Sequence, residues 1–293
     1  MWYPYHMFSK PHQLFKNALA QHYSIGAFNV SNLEFAQAVI GAAETLKAPV
    51  IAQTSEKAIE YAGVKVIARL VKLLAEQASV PVVLHLDHGK SLETVKKCIE
   101  AGYTSVMIDA STKPFEENIQ TVKEVVDYAH QYNVWVEAEL GAILGKEGAV
   151  KLAGEKTPES MFTDPTQAKQ FVTETNVDSL AVSVGTIHGV FAGQEYIRFE
   201  LVEKIKAVLP NFPLVIHGAS GVKDDEIKRV TAYNVGKINV DTELRIAFDD
   251  SLRDFLKKQT DMVDPRDVLG AARAAVQAKV EEKIKLFGSE GKA

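Results

Sequence analysis

A chain of 293 residues, 46% hydrophobic and 24% charged, can bury a large core, which excludes a disordered polypeptide. The net charge of -5, with acidic and basic residues interspersed, excludes the footprint of a nucleic-acid binder or of a protein drawn to an anionic membrane. The single cysteine, Cys98, excludes an internal disulfide, and its place on the apolar side of "TVKKCIEAG" marks a buried structural thiol.

The N-terminal "MWYPYHMFSK" lacks the apolar h-region of a signal peptide, and no window of about 18 apolar residues follows it. The expectation is a soluble, cytoplasmic protein with neither a membrane nor a nucleic-acid partner.

In chain order the sequence repeats one unit: a short β-branched run, a polar or glycine-containing loop, then a segment with helical spacing. The strand candidates are "YSIGAFNV" (23–30), "PVIAQTS" (49–55), "PVVLHLDH" (81–88), "SVMIDAS" (105–111), "VWVEAEL" (134–140), "SLAVSVGT" (179–186), "PLVIHGA" (213–219) and "KINVDT" (237–242). Their cores read as buried runs, as in a parallel sheet covered on both faces.

"NLEFAQAVIGAAETLK" places Leu33, Ala36, Val39, Ile40 and Ala43 at three- and four-residue spacing, and "PFEENIQTVKEVVDYAH" opens on Pro114 with carboxylates in its first turn. Eight β-then-α units predict a (β/α)₈ TIM barrel, with an open doubly wound sheet as the alternative. Two helical segments follow the eighth strand without a strand between them, a C-terminal helical extension, so residues 1–293 read as one barrel domain. The glycine-rich stretch 141–165 reads as a long irregular loop of the lid or substrate type.

Polar residues gather at the C-terminal ends of these strands: Asn29, Ser55, Asp87, His88, Asp109, Glu139, His188, His217, Asn239 and Asp241. A barrel brings such ends to one mouth. His88, His188 and His217 are each followed by glycine (Gly89, Gly189, Gly218), whereas His6, His12, His22, His85 and His130 are not. Three imidazoles with an open fourth position suit a catalytic zinc site. Asp109 and Glu139 close apolar strands, where a carboxylate is costly unless paired or metal-bound, and would act as a second shell or a second metal position. Glu137 shares the face of Glu139, and periodicity does not separate the two.

The turn "HGASG" (217–221) and the strand end "NVDT" (239–242) suit a phosphate cradle, whereas "HGKS" (88–91) is not a P-loop because the required earlier glycine is Leu84. Metal, phosphate cradle and carboxylates together suit chemistry on a phosphorylated carbonyl compound.

The ordered motifs "FNVSNLEFAQAVI", "HLDHG", "GYTSVMIDAS", "PFEEN", "VEAELG", "GTIHG", "HGASG", "KINVDTELRIAF", "DPRDVLGAARAAV" and "FGSEGKA" cover nearly the whole chain. The sequence resembles the class II, metal-dependent fructose-bisphosphate aldolases and their tagatose-bisphosphate relatives.

The resemblance implies a homodimer or homotetramer that reversibly cleaves fructose 1,6-bisphosphate into dihydroxyacetone phosphate and glyceraldehyde 3-phosphate. His88, His188 and His217 would hold the catalytic zinc, with Asp109 and Glu139 at an alternative metal position. Asp87 would exchange the proton of the C4 hydroxyl. Gly189, Gly218, Ala219, Ser220, Asn239, Val240, Asp241 and Thr242 would bind the dihydroxyacetone phosphate end, where members often also hold a monovalent cation, Na⁺ or K⁺. Ser55 would line the same mouth, and Arg245 resembles an arginine that reaches the distal phosphate from a neighbouring subunit.

Asp241 favours fructose over tagatose bisphosphate, since the tagatose enzymes tend to carry alanine there. Glu147 aligns with the acid that exchanges the C1 proton, yet "LGKEGAV" departs from the usual Gly-Gly-Gln/Glu-Glu-Asp loop at Lys146 and Gly148. A phosphorylated deoxy-gluconate substrate, a Schiff-base aldolase, a metal-dependent hydrolase and a non-catalytic scaffold are the competing readings.

Overall fold

The computed structural model describes residues 8–143, 145–152, 159–191 and 196–293; the side chains of 145–152, 190 and 191 lie outside the description. The expected alternation is realised. Helix α1 (Pro11–Gln21) precedes strand β1 (Ile25–Asn29); then follow α2 (Leu33–Leu46), β2 (Val50–Ser55), α3 (Glu56–Ala62), α4 (Val64–Gln77), β3 (Val82–Gly89), α5 (Leu92–Ala101), β4 (Ser105–Ile108), α6 (Phe115–Gln131) and β5 (Trp135–Leu140). The second half contains β6 (Gly145–Leu152), α7 (Pro165–Thr175), β7 (Ser179–Val182), β8 (His188–Phe191), α8 (Phe199–Val208), β9 (Leu214–Ile216), α9 (Asp224–Val230), β10 (Val235–Val240), α10 (Thr242–Lys258) and α11 (Pro265–Leu286).

Eight strands close in the order β1-β10-β9-β7-β5-β4-β3-β2, each parallel to its neighbours, with β1 joined to both β2 and β10. This is the (β/α)₈ barrel, and the open sheet is excluded by the pairing of Ile25 with Lys237 and of Phe28 with Val240 that seals it. The helices start where the sequence supplies caps: the side chain of Asn32 accepts the Phe35 amide before α2, and Ser91 accepts that of Thr94 before α5.

Two expectations change. Within 141–165, residues Gly145–Leu152 form a strand that pairs in parallel with β8, making a two-stranded sheet outside the barrel. His188 accordingly does not end a barrel strand. The barrel strand stops at Val182, and His188 opens β8 after a short connection. Only four residues from Ser179 find barrel partners, and the β-like "SVGT" does not continue the strand, because Gly185, at φ 112°, takes a backbone that strands do not use.

Alternation along the strands divides the side chains into two sets. Val82, Leu84 and Leu86 of β3 join the large apolar layer between barrel and helices, together with Val240. The other set fills the barrel in levels. At the N-terminal end Ile25, Ile51, Val83 and Trp135 pack under Leu14 and Phe15 of α1, and Phe15 stacks on Trp135 at 4.7 Å. Polar residues take over above this apolar plug. The terminal helices α10 and α11 form the C-terminal extension, and the tail hydrogen-bonds back to the end of α2 through the Gly291 and Ala293 amides.

Candidate active site

Gln53, His85, Asp87, Glu137, Glu139, His217, Lys237 and Asn239 are all buried polar residues of the barrel strands and the turns that directly follow them. Above them opens a cavity of about 430 Å³ lined by Ser55, Lys57, His88, Lys90, Asp109, Glu139, His188 and Arg245, among others. The strand ends therefore converge on one mouth.

The sequence "LDHG" is built to place His88. The β3–β4 register shifts between Leu86 and Gly89, and His88 adopts φ 47°, a conformation rare outside glycine and asparagine. Gly89 makes the bulge possible, because a Cβ there would lie 2.6 Å from the Met107 carbonyl oxygen. Gly218 plays the same part for His217: at φ 65°, its Cβ would meet the Ile187 carbonyl at 2.5 Å. His188 and His217 are thus brought together by backbone segments that touch, and the glycines after His88 and His217 are a requirement of packing.

His88, Glu139, His188 and His217 each offer one ligand atom, and these atoms all lie within 4.8 Å of one another. Their rings meet edge to face, with centroids 5.1 Å apart for His88 and His188 and 4.8 Å for His88 and His217. The buried Nδ1 of His217 and Oε2 of Glu139 make no hydrogen bond among the described residues and lie 3.5 Å apart. Buried polar atoms without partners are costly, and a cation coordinated between them would satisfy both. The donor set of three imidazoles and one carboxylate fits a divalent transition metal.

Burial, reinforced by the neighbouring charges of His88 and of the other basic groups, holds His188 and His217 well below the ordinary histidine range, so both present neutral imidazoles. Burial pushes Glu139 up to about 8; His88 opposes this and Asp109 adds to it.

Asp109 lies behind His88. Its Oδ2 is 3.1 Å from His88 Nδ1 and accepts the Lys90 ammonium, and its Oδ1 accepts the Ser111 hydroxyl at 2.7 Å. Burial raises this carboxyl, but the bond and charge of His88 and then Lys90 outweigh it and hold Asp109 well below the usual carboxylate range. Asp109 is not in the converging group of four.

Asp87 is fully buried and clamped from two strands. Asn29 Nδ2 donates to Oδ2 at 2.9 Å and Asn239 Nδ2 donates to Oδ1 at 3.2 Å, while Gln53 donates to Asn29 Oδ1 at 2.7 Å and fixes that amide. Burial raises Asp87, yet the charges of His88, Lys237 and His217 with the Asn29 bond prevail, and the carboxyl is held below its ordinary range.

The turn 217–221 follows β9 and the segment 239–242 ends β10, and these strands are neighbours, so Gly218, Ala219 and Ser220 lie beside Asn239, Asp241 and Thr242. Val240 faces the apolar layer and can offer only its backbone. Asp241 stands at the N-cap position of α10, where its side chain makes no capping bond and instead accepts Arg245 Nε at 2.7 Å; burial raises its carboxyl and Arg245 partly offsets the shift. Ser55 caps α3 and Gly189 takes φ 93°. The side chain of Glu147 lies outside the described residues.

Lys90 and Lys237 are absent from the candidates that the sequence supplies, and Glu137 enters there only as sharing the face of Glu139. Lys237 carried a usable signal, since it lies two residues before Asn239 and so shares its face. Glu137 is now separated from Glu139: it sits one level deeper, against Lys237 and His217. Lys90 follows the bulge, where strand periodicity has ended.

The sequence matches the family described as "Fructose-bisphosphate aldolase class-II" over residues 9–292. The chain belongs to the class II fructose-bisphosphate aldolase family. It is 43% identical to a fructose-bisphosphate aldolase of Geobacillus stearothermophilus over 284 residues, covering 96% of this chain and 97% of that one. It is 41% identical over 283 residues to a 6-phospho-5-dehydro-2-deoxy-D-gluconate aldolase of Shouchella clausii, covering 96% and 94%. Among solved structures it resembles the YdjI aldolase of Escherichia coli K12, with a TM-score of 0.83, 36% identity and coverage of 97% and 99%. Membership makes this chain a metal-dependent aldolase, a carbon–carbon lyase that takes a phosphorylated sugar, and the four-residue cluster is where such a protein can hold its metal. No helix among the described residues is long and apolar enough to cross a membrane.

Proposed function

We propose that this protein reversibly cleaves fructose 1,6-bisphosphate to dihydroxyacetone phosphate and glyceraldehyde 3-phosphate, using zinc held by His88, His188 and His217 with Glu139 alongside. The observation that carries the reading is the convergence of these four groups beside a clamped Asp87, at the mouth of a class II aldolase barrel. When bound, the ion supplies a Lewis acid that polarises the substrate carbonyl.

Asp87 takes the proton from the C4 hydroxyl in cleavage and returns it in condensation. Its lowered pKa keeps it in the accepting form, and Asn29 and Asn239 fix both oxygens so that no rotation is needed when substrate arrives. Backbone amides of Gly189, Gly218, Ala219 and Ser220, with the 239–242 segment opening α10, hold the phosphate of the dihydroxyacetone end, and a monovalent cation, Na⁺ or K⁺, belongs to the same cradle. Asp109 orients His88 and, on the family resemblance, is also the carboxylate of a second metal position. Ser55 lines the same mouth, Arg245 reaches the distal phosphate of a neighbouring subunit's substrate, and Glu147 exchanges the C1 proton. The working unit is a cytoplasmic homodimer or homotetramer of one barrel domain spanning residues 1–293.

A lysine imine is disfavoured on specific grounds. Such a lysine must be desolvated and open to substrate. Lys237 is buried but locked to Glu137, and Lys90 is open but solvated and paired with Asp109.

A second reading has a definite basis, because a deoxy-gluconate aldolase matches this chain almost as closely as the fructose-bisphosphate enzymes do. Its substrate likewise carries a phosphorylated three-carbon end, and the two readings differ only in the released aldehyde. Cleavage of fructose 1,6-bisphosphate, tagatose 1,6-bisphosphate and 6-phospho-5-dehydro-2-deoxy-D-gluconate, compared by kcat/KM, tests the choice. The reading expects the fructose substrate to be cleaved fastest; preference for either of the others replaces it.

A further inference from the structure

Beneath the four-residue cluster the barrel contains a charged group that the catalytic reading does not use. Lys237, 1% exposed, donates from Nζ to both oxygens of Glu137, at 2.8 and 2.9 Å. A buried ion pair of this kind seldom stabilises a fold more than apolar residues of the same shape would, so its presence calls for another reason.

The bonds around it supply one. An ammonium group only donates, so His85 Nε2, 3.3 Å from Lys237 Nζ, must accept, and its Nδ1–H then donates to Ser105 Oγ at 2.6 Å. A carboxylate only accepts, so the nitrogen of His217 that faces Glu137 Oε1 at 2.9 Å, Nε2, carries the proton. His217 therefore presents the lone pair of Nδ1, the same buried atom that makes no hydrogen bond among the described residues and faces Glu139 in the cluster. Lys237 holds both carboxylate oxygens at once, which leaves Glu137 a single orientation, with Oε1 aimed at His217. The strands that carry these groups are β10, β5 and β3, so the chain of contacts crosses the barrel interior.

We propose that the Lys237–Glu137 ion pair is a positioning device: it fixes the ring orientation and tautomer of His217 and thereby sets the affinity of the cluster for a divalent ion. The inference rests on the reading of His88, Glu139, His188 and His217 as a metal centre. Lys237 touches neither that centre nor the substrate cavity; it acts through Glu137. Carboxylates that hold a ligating imidazole by its far nitrogen typically contribute about 10- to 100-fold in metal affinity.

The test is zinc affinity, measured by competition with a chromogenic chelator, in two double variants. Lys237→Met/Glu137→Leu replaces the ion pair by apolar side chains and leaves the His217 N–H without an acceptor. Lys237→Met/Glu137→Gln keeps an amide oxygen in reach of His217. The proposal expects the first to lose about 10- to 100-fold in zinc affinity, with the circular dichroism and melting temperature of the metal-free protein held. It expects the second to recover part of that loss, and the visible absorption of the Co²⁺-loaded forms to shift in the same order.

Zinc affinity equal to that of the parent in a folded Leu variant overturns the proposal, as does a folded Gln variant that recovers nothing. If the Leu variant does not fold, the Gln variant carries the test alone: parental affinity and an unshifted Co²⁺ spectrum overturn the proposal. The underlying reading fails separately and visibly. A parent protein that takes up no zinc, or a His188→Ala variant that binds it as tightly as the parent, removes the metal centre itself.

Discussion

The side-chain amide of Asn239 donates to Asp87 Oδ1 at 3.2 Å, tying the end of β10 to the end of β3 across 152 positions of sequence. With Asn29 on the other oxygen, Asp87 is a buried carboxylate whose two acceptors are both occupied by neutral donors. Such a group can be ionised in the interior without a counter-ion in direct contact, which is what a proton acceptor at a substrate hydroxyl requires.

Asp87→Asn is therefore expected to retain zinc and the melting temperature of the parent within a few degrees, while kcat for cleavage falls by about 10² to 10⁴-fold. Metal analysis alongside steady-state kinetics checks this. A variant with parental kcat removes Asp87 from the proton transfer.

The raised pKa of Glu139 gives metal uptake a defined dependence on pH. With the carboxyl pushed up to about 8 by burial, it carries a proton near pH 7 in the metal-free protein, and coordination must expel that proton. Affinity for zinc should thus climb as pH rises toward about 8 and level off above it. Titration calorimetry in buffers of different ionisation enthalpy should find about one more proton released per ion near pH 7 than near pH 9. Equal release at both would place Glu139 outside the ligand set.

Asp241 touches Arg245 and lines a small pocket with Asn29 and Ser55, and Ser55 and Arg245 also line the mouth. Asp241→Ala is expected to narrow the fructose-to-tagatose ratio of kcat/KM by about tenfold, the worth of one hydrogen bond to a charged group at ~1.5 kcal/mol. An unchanged ratio would remove Asp241 as the discriminator.

Cys98 is buried on α5, and burial, with the charge of Glu56, pushes its thiol up to about 12. Only the thiolate attacks a disulfide reagent, so the native protein should show no titratable thiol at pH 8 and one after unfolding in guanidinium. Rapid labelling of the folded protein would contradict both the burial and the structural role given to this residue.

The architecture was legible because it rests on local signals. Runs such as "VVLHL" and helices opened by Asn32 or Ser91 announce themselves within a few residues, and their alternation permits few topologies. The site was legible as far as strand ends reveal it, which covers His88, Glu139 and His217. His188 was found by its His-Gly context but assigned to the wrong strand, since the chain leaves the barrel at Val182 and the backbone reversal at Gly185 has no hydrophobic period to betray it. Lys237, and the partners of Glu137, were hidden for another reason. Both Lys237 and Glu137 look like misplaced charges within an apolar strand until the closure of β10 onto β9 and β1 shows that their partners come from residues 100 positions away. Long-range charge pairing leaves no mark on local periodicity.

The most direct test of the account is cleavage of fructose 1,6-bisphosphate by the purified protein as isolated, after removal of metal by a chelator, and after readdition of stoichiometric zinc, with His188→Ala carried through the same steps. The account predicts activity that disappears with the metal and returns with zinc in the parent, and a His188→Ala protein that keeps its fold, binds no zinc and stays inactive throughout. Cleavage that survives complete metal removal, or a His188→Ala variant that turns over at the parental rate, would contradict it.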